Sequence, residues 1–278
     1  MFKVKKIFLL SFWFILFGLA PCLIANQKQL ISADLPKELK SERDWHTYAY
    51  AGYAWSQKAG INNPDPAVFA NVAPGDTDDA NLANTSFAGV SLHYNASNWF
   101  TLGFSFEKFG TFTYQKYHLN GNPMLENIGP NYVREFLMNH QAAMLEARLK
   151  LPAHWSVELG NIKVMPLVMF GMGVGINNVY NFATISYNPD TQNTEFTSIA
   201  NNNISTCFAW RIETGLDFAS LLSDTAFGVS YRYDHGGKFA SGTLYEFGSG
   251  IDALTFLPAW QGTLKTNQIK LYINVNFD

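Results

Sequence analysis

The chain has 278 residues, a formal net charge of -3 and a charged fraction of 15%. Soluble domains usually carry about 25% charged residues, whereas aromatic residues here also reach 15%, a balance more typical of a lipid-facing β-sheet than of a water-facing one. The near-neutral charge offers no basic surface, so no nucleic-acid partner is expected.

The N-terminus has the features of a secretory signal peptide. Lys3, Lys5 and Lys6 give a positive start, residues 7–20 are almost entirely apolar, and Ala25 is a plausible cleavage point. The apolar segment is short for a membrane helix, which needs about 20 residues. We therefore predict a signal peptide at residues 1–25, a periplasmic N-terminal segment at residues 26–44 and a β-barrel domain at residues 45–278.

The first half of the barrel domain contains segments in which apolar and polar or small residues alternate. Such alternation is typical of a strand with one face in lipid and the other in the lumen of a barrel. The segments are Trp45–Ser56, 88–94, 100–107 and 139–150. The last one is rich in helix formers and could be a helix by propensity alone. Its alternation, with Leu145 and Glu146 as an example, favours a strand.

The second half repeats the pattern more clearly, in segments 164–176, 207–218, 225–234 and 268–277. At helical spacing the last three would mix apolar and charged residues on every face, so a strand is the better prediction. The residues predicted to face lipid are Phe208, Trp210, Ile212, Phe227, Val229, Leu271 and Ile273. The charged residues predicted to face the lumen are Glu107, Glu146, Arg148, Arg211, Glu213, Asp217, Arg232 and Lys270.

The connections between these segments alternate in length. Short ones lie at 95–98, 151–161 and 220–224, and long ones at 57–84, 110–138, 177–203 and 239–263. Short periplasmic turns and long extracellular loops are typical of outer-membrane barrels. We predict an all-β, antiparallel, up-and-down transmembrane barrel of about eight strands, or ten if 155–159 and 180–186 form extra pairings.

Several short motifs resemble the OmpA-type small outer-membrane barrels. Asp44-Trp45, Gly52 and Trp55-Ser56-Gln57 resemble the opening strand of that family, and 99–104 resembles part of its first hairpin. Met165-Pro166-Leu167-Val168 with the glycines that follow is similar to another of its strands. The resemblance implies a barrel-only member without the peptidoglycan-binding domain.

Barrels of this kind usually end on an aromatic residue that the barrel-assembly machinery recognises, and here Phe277 precedes Asp278. We interpret the last strand as the assembly signal. Its alternating residues are Leu271, Ile273, Val275 and Phe277.

Two functions fit the predicted lumen. Buried charges must pair, so the first hypothesis is a barrel closed by salt bridges that has a structural or surface-interaction role. The alternative is a gated, low-conductance pore for small solutes, in which Glu107 exchanges partners between Arg148 and Arg211. Outer-membrane lipid and lipopolysaccharide are expected partners, with an extracellular or host partner of the loops as a further candidate. Aromatic residues of the last long loop, Trp260 among them, either contact such partners or pack within the protein.

A lipid A-modifying enzyme is the less favoured alternative. Its candidate groups are Ser91 with His93, His118 with Glu126, and His235 with Asp234 and Ser241. The acidic residues in loop 62–84 fit no ordered calcium-binding spacing. We therefore expect a protein that is not an enzyme and has no cofactor and no metal site.

Overall fold

The computed structural model describes residues 45–57, 59, 82–97, 100–118, 132–150, 155–188, 193–221, 225–247, 254–257 and 259–277. The signal peptide at residues 1–25 and the segment at residues 26–44 lie outside the described residues. None of the described residues belongs to a helix that is long and apolar enough to span a membrane.

The described chain consists almost entirely of antiparallel strands. In chain order they are β1 (Trp45–Ser56), β2 (Thr85–Ser97), β3 (Phe100–His118), β4 (Tyr132–Lys150), β5 (Val157–Leu159), β6 (Ile162–Asn188), β7 (Asn193–Ala200), β8 (Asn203–Ser220), β9 (Thr225–Ala240), β10 (Leu244–Phe247), β11 (Leu254–Leu257) and β12 (Gln261–Phe277).

Eight of these strands close into a barrel in the order β1-β2-β3-β4-β6-β8-β9-β12, with β12 paired back to β1. The stagger of the barrel is found by moving from each residue to its partner on the next strand. Starting at Lys265 of β12, this route crosses all the other barrel strands and returns to β12 at Val275. This stagger of ten residues requires tilted strands, as in other closed barrels. The prediction of an eight-stranded antiparallel barrel is confirmed.

The two ends of the barrel differ. The short connections, the start of β1 and the end of β12 lie at one end, here called the turn end, and the long connections lie at the other, the loop end. At the loop end several stretches predicted to be loops are strands instead, since β3 continues to His118 and β6 continues to Asn188. Strands β7, β10 and β11 extend the sheet there.

The two candidate extra pairings have different outcomes. Residues Val157–Leu159 form β5, a short strand that pairs with the beginning of β6 at the turn end. Residues 180–186 are not a separate strand but the continuation of β6, where they pair with β4 and β7. The segment 139–150 is part of β4, because its alternating pattern outweighs its helix propensity.

Three irregularities change which face of the wall a side chain occupies. The pairing register shifts after Lys108 in β3, near Asn181 in β6 and at Gly236 in β9. Asn181 has φ 53° and Gly237 has φ 82°, values that favour Asn and Gly because a Cβ atom strains them. A β-bulge of this kind reverses the alternation beyond it, so Phe112, Phe182 and Phe239, which lie past the bulges, point into the barrel.

Candidate functional site: the barrel wall and its lumen

The outer surface of the barrel is apolar. Large aliphatic and aromatic side chains project from it, with Leu145 66% exposed, Phe208 64% exposed and Leu271 62% exposed. The lipid-facing set lies on this surface: Phe208, Ile212, Phe227, Val229, Leu271 and Ile273 are all at least 36% exposed. Trp210 also lies on it, but is partly covered by Tyr233 and His235, whose rings lie 5.4 Å and 5.7 Å from its own.

Aromatic pairs border this apolar surface at both ends. At the loop end Trp55 lies 6.3 Å from Tyr231, measured between ring centroids. At the turn end Trp45 lies 5.0 Å from Tyr94, and Phe218 lies 5.0 Å from Phe227. Two aromatic borders around an apolar band are typical of barrels that cross a bilayer.

Glu107 occupies the centre of the lumen. Its Oε2 atom accepts hydrogen bonds from Arg211 Nη1 at 2.9 Å and from Arg232 Nη2 at 2.7 Å, and all three side chains have no exposed surface. Tyr50 donates a hydrogen bond to the same oxygen at 3.4 Å. Charges buried this deeply persist only when paired, so this cluster ties β3 to β8 and β9 across the barrel.

Further pairs surround the central cluster. Lys270 Nζ lies 2.6 Å and 2.7 Å from the two carboxylate oxygens of Glu213, and Arg232 also donates to Gln268 Oε1. Asp234, which was not among the predicted lumen charges, lies 3.4 Å from Arg211 Nε. These contacts join β8, β9 and β12 on one side of the lumen.

Glu146 links the central cluster to the opposite wall. Its carboxylate accepts a hydrogen bond from Ser105 Oγ at 2.8 Å and lies 3.0 Å from His93 Nε2. Its Oε1 atom also lies 3.4 Å from Arg211 Nη1. From the sequence, His93 is paired with Ser91 and not with Glu146, because period-two alternation assigns a face but not a partner.

Arg148 and Asp217 form a separate pair near the turn end. Arg148 donates to Asp217 Oδ2 and its guanidinium lies 5.1 Å from the ring centroid of Tyr48. Tyr272 donates to the other oxygen of Asp217. Of the two arginines suggested as exchanging partners of Glu107, Arg211 contacts it, whereas Arg148 contacts Asp217.

A small cavity lies between this pair and the central cluster. Its volume is about 10 Å³, room for about one water molecule, and its lining includes Tyr48, Ser91, His93, Glu146 and Lys270. The charged side chains around this cavity thus pack closely against one another.

The loop-end part of the lumen is filled differently, by an aromatic layer. The layer comprises Phe87, Phe109, Phe112, Tyr114, Phe136, Phe182, Phe239 and Trp260, each at most 3% exposed. Tyr114 stacks on Phe136 with ring centroids 4.7 Å apart, and Trp260 lies 5.6 Å from Phe182. Sequence reasoning missed this layer, because the bulges that turn Phe112, Phe182 and Phe239 inward leave no signal in a strict alternation.

Three polar residues, His140, Asn177 and Cys207, lie between the charged cluster and the aromatic layer. His140 Nδ1 lies 2.7 Å from Asn177 Oδ1, and Asn177 Nδ2 donates to the carbonyl oxygens of Gly236 at 3.1 Å and Lys238 at 3.0 Å. It also lies 3.4 Å from Cys207 Sγ. The carbonyl of Gly236 is available there because the bulge removes it from the regular ladder.

The barrel wall separates two of the catalytic candidates, Asp234 and His235. Asp234 points into the lumen, whereas its neighbour His235 stacks on Trp210 on the outer surface. Ser91 and His93 both point into the lumen, where His93 contacts Glu146. Glu126 and the side chain of His118 lie outside the described residues.

The residues predicted to form an assembly signal are described in part. Leu271 and Ile273 face outward, and Val275 and Phe277 belong to β12, opposite Thr47 and Trp45 of β1. The side chains of Val275 and Phe277 lie outside the described residues.

An apolar outside with aromatic borders, combined with an ionic inside, is the reverse of a water-soluble barrel. The chain has the fold of a small outer-membrane β-barrel. No protein-family model and no curated protein sequence matches it, and its resemblance to OmpA-type barrels stays a prediction.

Solved structures of similar shape include three bacterial membrane proteins. The outer membrane protein OprG from Pseudomonas aeruginosa is 11% identical, with 85% of this chain and 98% of that one covered and a TM-score of 0.47. The Neisserial surface protein A is 11% identical over 84% and 97% of the two chains, with a TM-score of 0.37. The outer membrane protein AlkL is 13% identical over 89% and 97%, with a TM-score of 0.38. At these identities the likeness concerns the fold alone.

Proposed function

We propose that the chain is a closed outer-membrane scaffold, whose wall holds the loop-end strands and their loops at the cell surface. The observation that carries the proposal is the filled lumen, with the Glu107–Arg211–Arg232 cluster on one side of the His140–Asn177 contact and the aromatic layer on the other. A barrel of about eight strands is just wide enough to be filled by its own side chains.

Membrane location is tested by comparing boiled and unboiled samples on a gel and by fractionating cells. Folded barrel and unfolded chain are expected to migrate differently, and the protein is expected in the outer-membrane fraction. Equal mobility together with recovery in the periplasmic fraction would contradict the proposed location.

The closed state is tested by conductance in planar bilayers. The wild-type protein is expected to give no discrete openings, because an ion would have to displace both the ion pairs and the aromatic layer. Two single variants are also expected to stay closed. Glu107→Gln removes a charge but leaves the aromatic layer, and Phe136→Ala opens the aromatic layer but leaves the ion pairs. Regular wild-type openings would refute the closed scaffold.

A gated pore is the second candidate, and one contact favours it. Glu107 is shared by two arginines, and Arg232 Nη1 lies 4.0 Å from Glu213 Oε2, a second carboxylate within reach. Rotation of Arg232 toward Glu213 would exchange one pair for another without leaving a charge alone. The pore would be favoured if the wild type shows channel openings whose conductance or frequency changes in Glu213→Gln. The control Glu158→Gln, on strand β5, should leave the openings unchanged.

A lipid-modifying enzyme receives less support. The wall separates Asp234 from His235, so these two cannot act together on one substrate. We propose that the protein has no catalytic role, and mass spectrometry of lipid A from cells with and without the gene tests this. A changed acyl or phosphate pattern would reverse the proposal.

A further inference from the structure

The outer surface carries two lysines at its loop-end border. Lys265 of β12 lies opposite His235 of β9, and Lys238 of β9 lies opposite Thr263, two residues from Lys265 along β12. Lys238 is exposed and Lys265 is half-buried, while the neighbouring Phe239 and Leu264 point into the barrel. The lysines are therefore diagonal neighbours on the outer face, about 7–8 Å apart at their Cα atoms.

The Gly236 bulge creates this pair. On the turn-end side of the bulge the odd-numbered residues of β9, such as Tyr233 and His235, face outward. Beyond the bulge the even-numbered residues face outward, so Lys238 joins the outer surface and Phe239 enters the aromatic layer. Without the extra residue Lys238 would be a buried cation at the border of an apolar layer, which is strongly unfavourable.

Aromatic side chains lie directly beneath the lysines, toward the turn end. His235 stacks on Trp210 at an angle of 9° between the ring planes, and Tyr233 and Trp210 are in contact. Amphipathic rings of this kind occupy the level of the lipid headgroups. The lysines consequently lie where the charged part of a lipid meets the protein.

The charge at this border is positive. Within the part of the chain that the structure describes, no carboxylate forms an ion pair with Lys238 or Lys265. A third outward lysine, Lys108, is exposed on β3. The outward residues at the turn-end border include Trp45, Tyr94 and Phe227 instead. An anionic outer leaflet complements this asymmetry.

We propose that Lys238 and Lys265 form a binding site for a phosphate group of lipopolysaccharide in the outer leaflet, with its acyl chains against Trp210 and Tyr233. The site rests on the proposed outer-membrane location. Two ammonium groups near one phosphate provide charge-assisted hydrogen bonds, and the aromatic surface provides apolar contact for the chains.

Native mass spectrometry of the detergent-solubilised protein tests the site, with bis-phosphorylated lipid A as the probe. At about a factor of five for each cation, the double variant Lys238→Gln/Lys265→Gln is expected to raise the apparent Kd roughly 25-fold. Lys238→Arg/Lys265→Arg keeps the charge and is expected to bind like the wild type. Lys163→Gln, at the turn end of β6, is the matched control.

Three outcomes would overturn the site. The first is equal binding by the wild type and the double glutamine variant, once gel mobility shows both to be folded. The second is equal wild-type affinity for lipid A and for the same lipid without its phosphates, which would reduce the contact to the acyl chains. The third is an equal affinity for inorganic phosphate, which would assign the lysines to a free anion. If fractionation still places the protein in the outer membrane, only the lipid site is lost.

Discussion

Replacement of Glu107 by alanine tests the ionic part of the lumen. Oxygen Oε2 of Glu107 lies within 2.9 Å of both Arg211 Nη1 and Arg232 Nη2, and none of the three side chains is exposed. After Glu107→Ala, Arg211 keeps Glu146 and Asp234 only at 3.4 Å, and Arg232 keeps the neutral Gln268 as its nearest partner. Both arginines thus lose their closest carboxylate, and the nearest one left to Arg232 is Glu213 at 4.0 Å.

Removing one partner of a buried ion pair costs about 3–5 kcal/mol. We expect the free energy of unfolding to fall by about that amount, toward the lower end because Arg211 retains two carboxylates. Glu107→Gln keeps the size of the side chain but removes its charge. It is expected to destabilise the barrel almost as much as Glu107→Ala, because the lost charge causes most of the effect. Glu158→Ala, on the exposed strand β5, is the control and is expected to change little.

The assay is denaturant unfolding of the barrel in lipid vesicles, followed by tryptophan fluorescence and gel mobility. A double-mutant cycle adds Arg232→Met, which removes the cation left behind. The double variant is expected to recover about 0.5–3 kcal/mol relative to the sum of the single variants. A cost of Glu107→Ala below about 1 kcal/mol with an unchanged denaturant slope would refute the view that the cluster stabilises the barrel.

Three further predictions concern the wall. Ile212→Arg, on the outer face of β8 about midway between the border residues Phe208 and Phe218, is expected to cost roughly 2–4 kcal/mol. Phe208→Arg should cost only about 0–1 kcal/mol, because its backbone adjoins Gly237 at the loop-end border. Equal costs in vesicle unfolding would contradict this depth difference. Gly228→Ala would place its Cβ atom against the ring of Tyr272, and we expect about 1–3 kcal/mol of destabilisation, relieved by a second change, Tyr272→Ala, in the same assay. A spin label at Ile273 is expected to contact lipid-soluble oxygen, and a signal quenched instead by a water-soluble relaxation agent would show that this face is not in the membrane.

The facing of side chains could be predicted from the sequence wherever a strand is regular. In β8 the alternation of Phe208, Trp210 and Ile212 with Arg211 and Glu213 specifies both faces, because a one-residue slip would place every charge in lipid. The same rule holds for β12 around Lys270 and Leu271.

The partners of the charged residues could not be predicted. Alternation says that Arg148 and Glu107 point inward, but the stagger of the strands decides their separation along the barrel, and that stagger follows from pairings far apart in sequence. The stagger brings Arg148 close to Asp217, which is its partner in the structure.

The loop-end strands were missed for a different reason. Residues 177–188 of β6 are rich in Asn and Tyr and contain Asn181 in a left-handed conformation, a composition typical of loops. They are held as a strand by pairing with β4 and β7 and by the burial of Phe182. Tertiary contacts of this kind override local propensity.

The pairing of β1 with β12 places Tyr50 opposite Tyr272, partners separated by nearly the whole length of the barrel domain. This seam can form only after the last strand has been synthesised, so a partly made chain has two open edges. Open strand edges recruit other chains and aggregate, and pairings of such long sequence separation form slowly. Both edges therefore need protection until the ring closes, and closure is the event that ends this need.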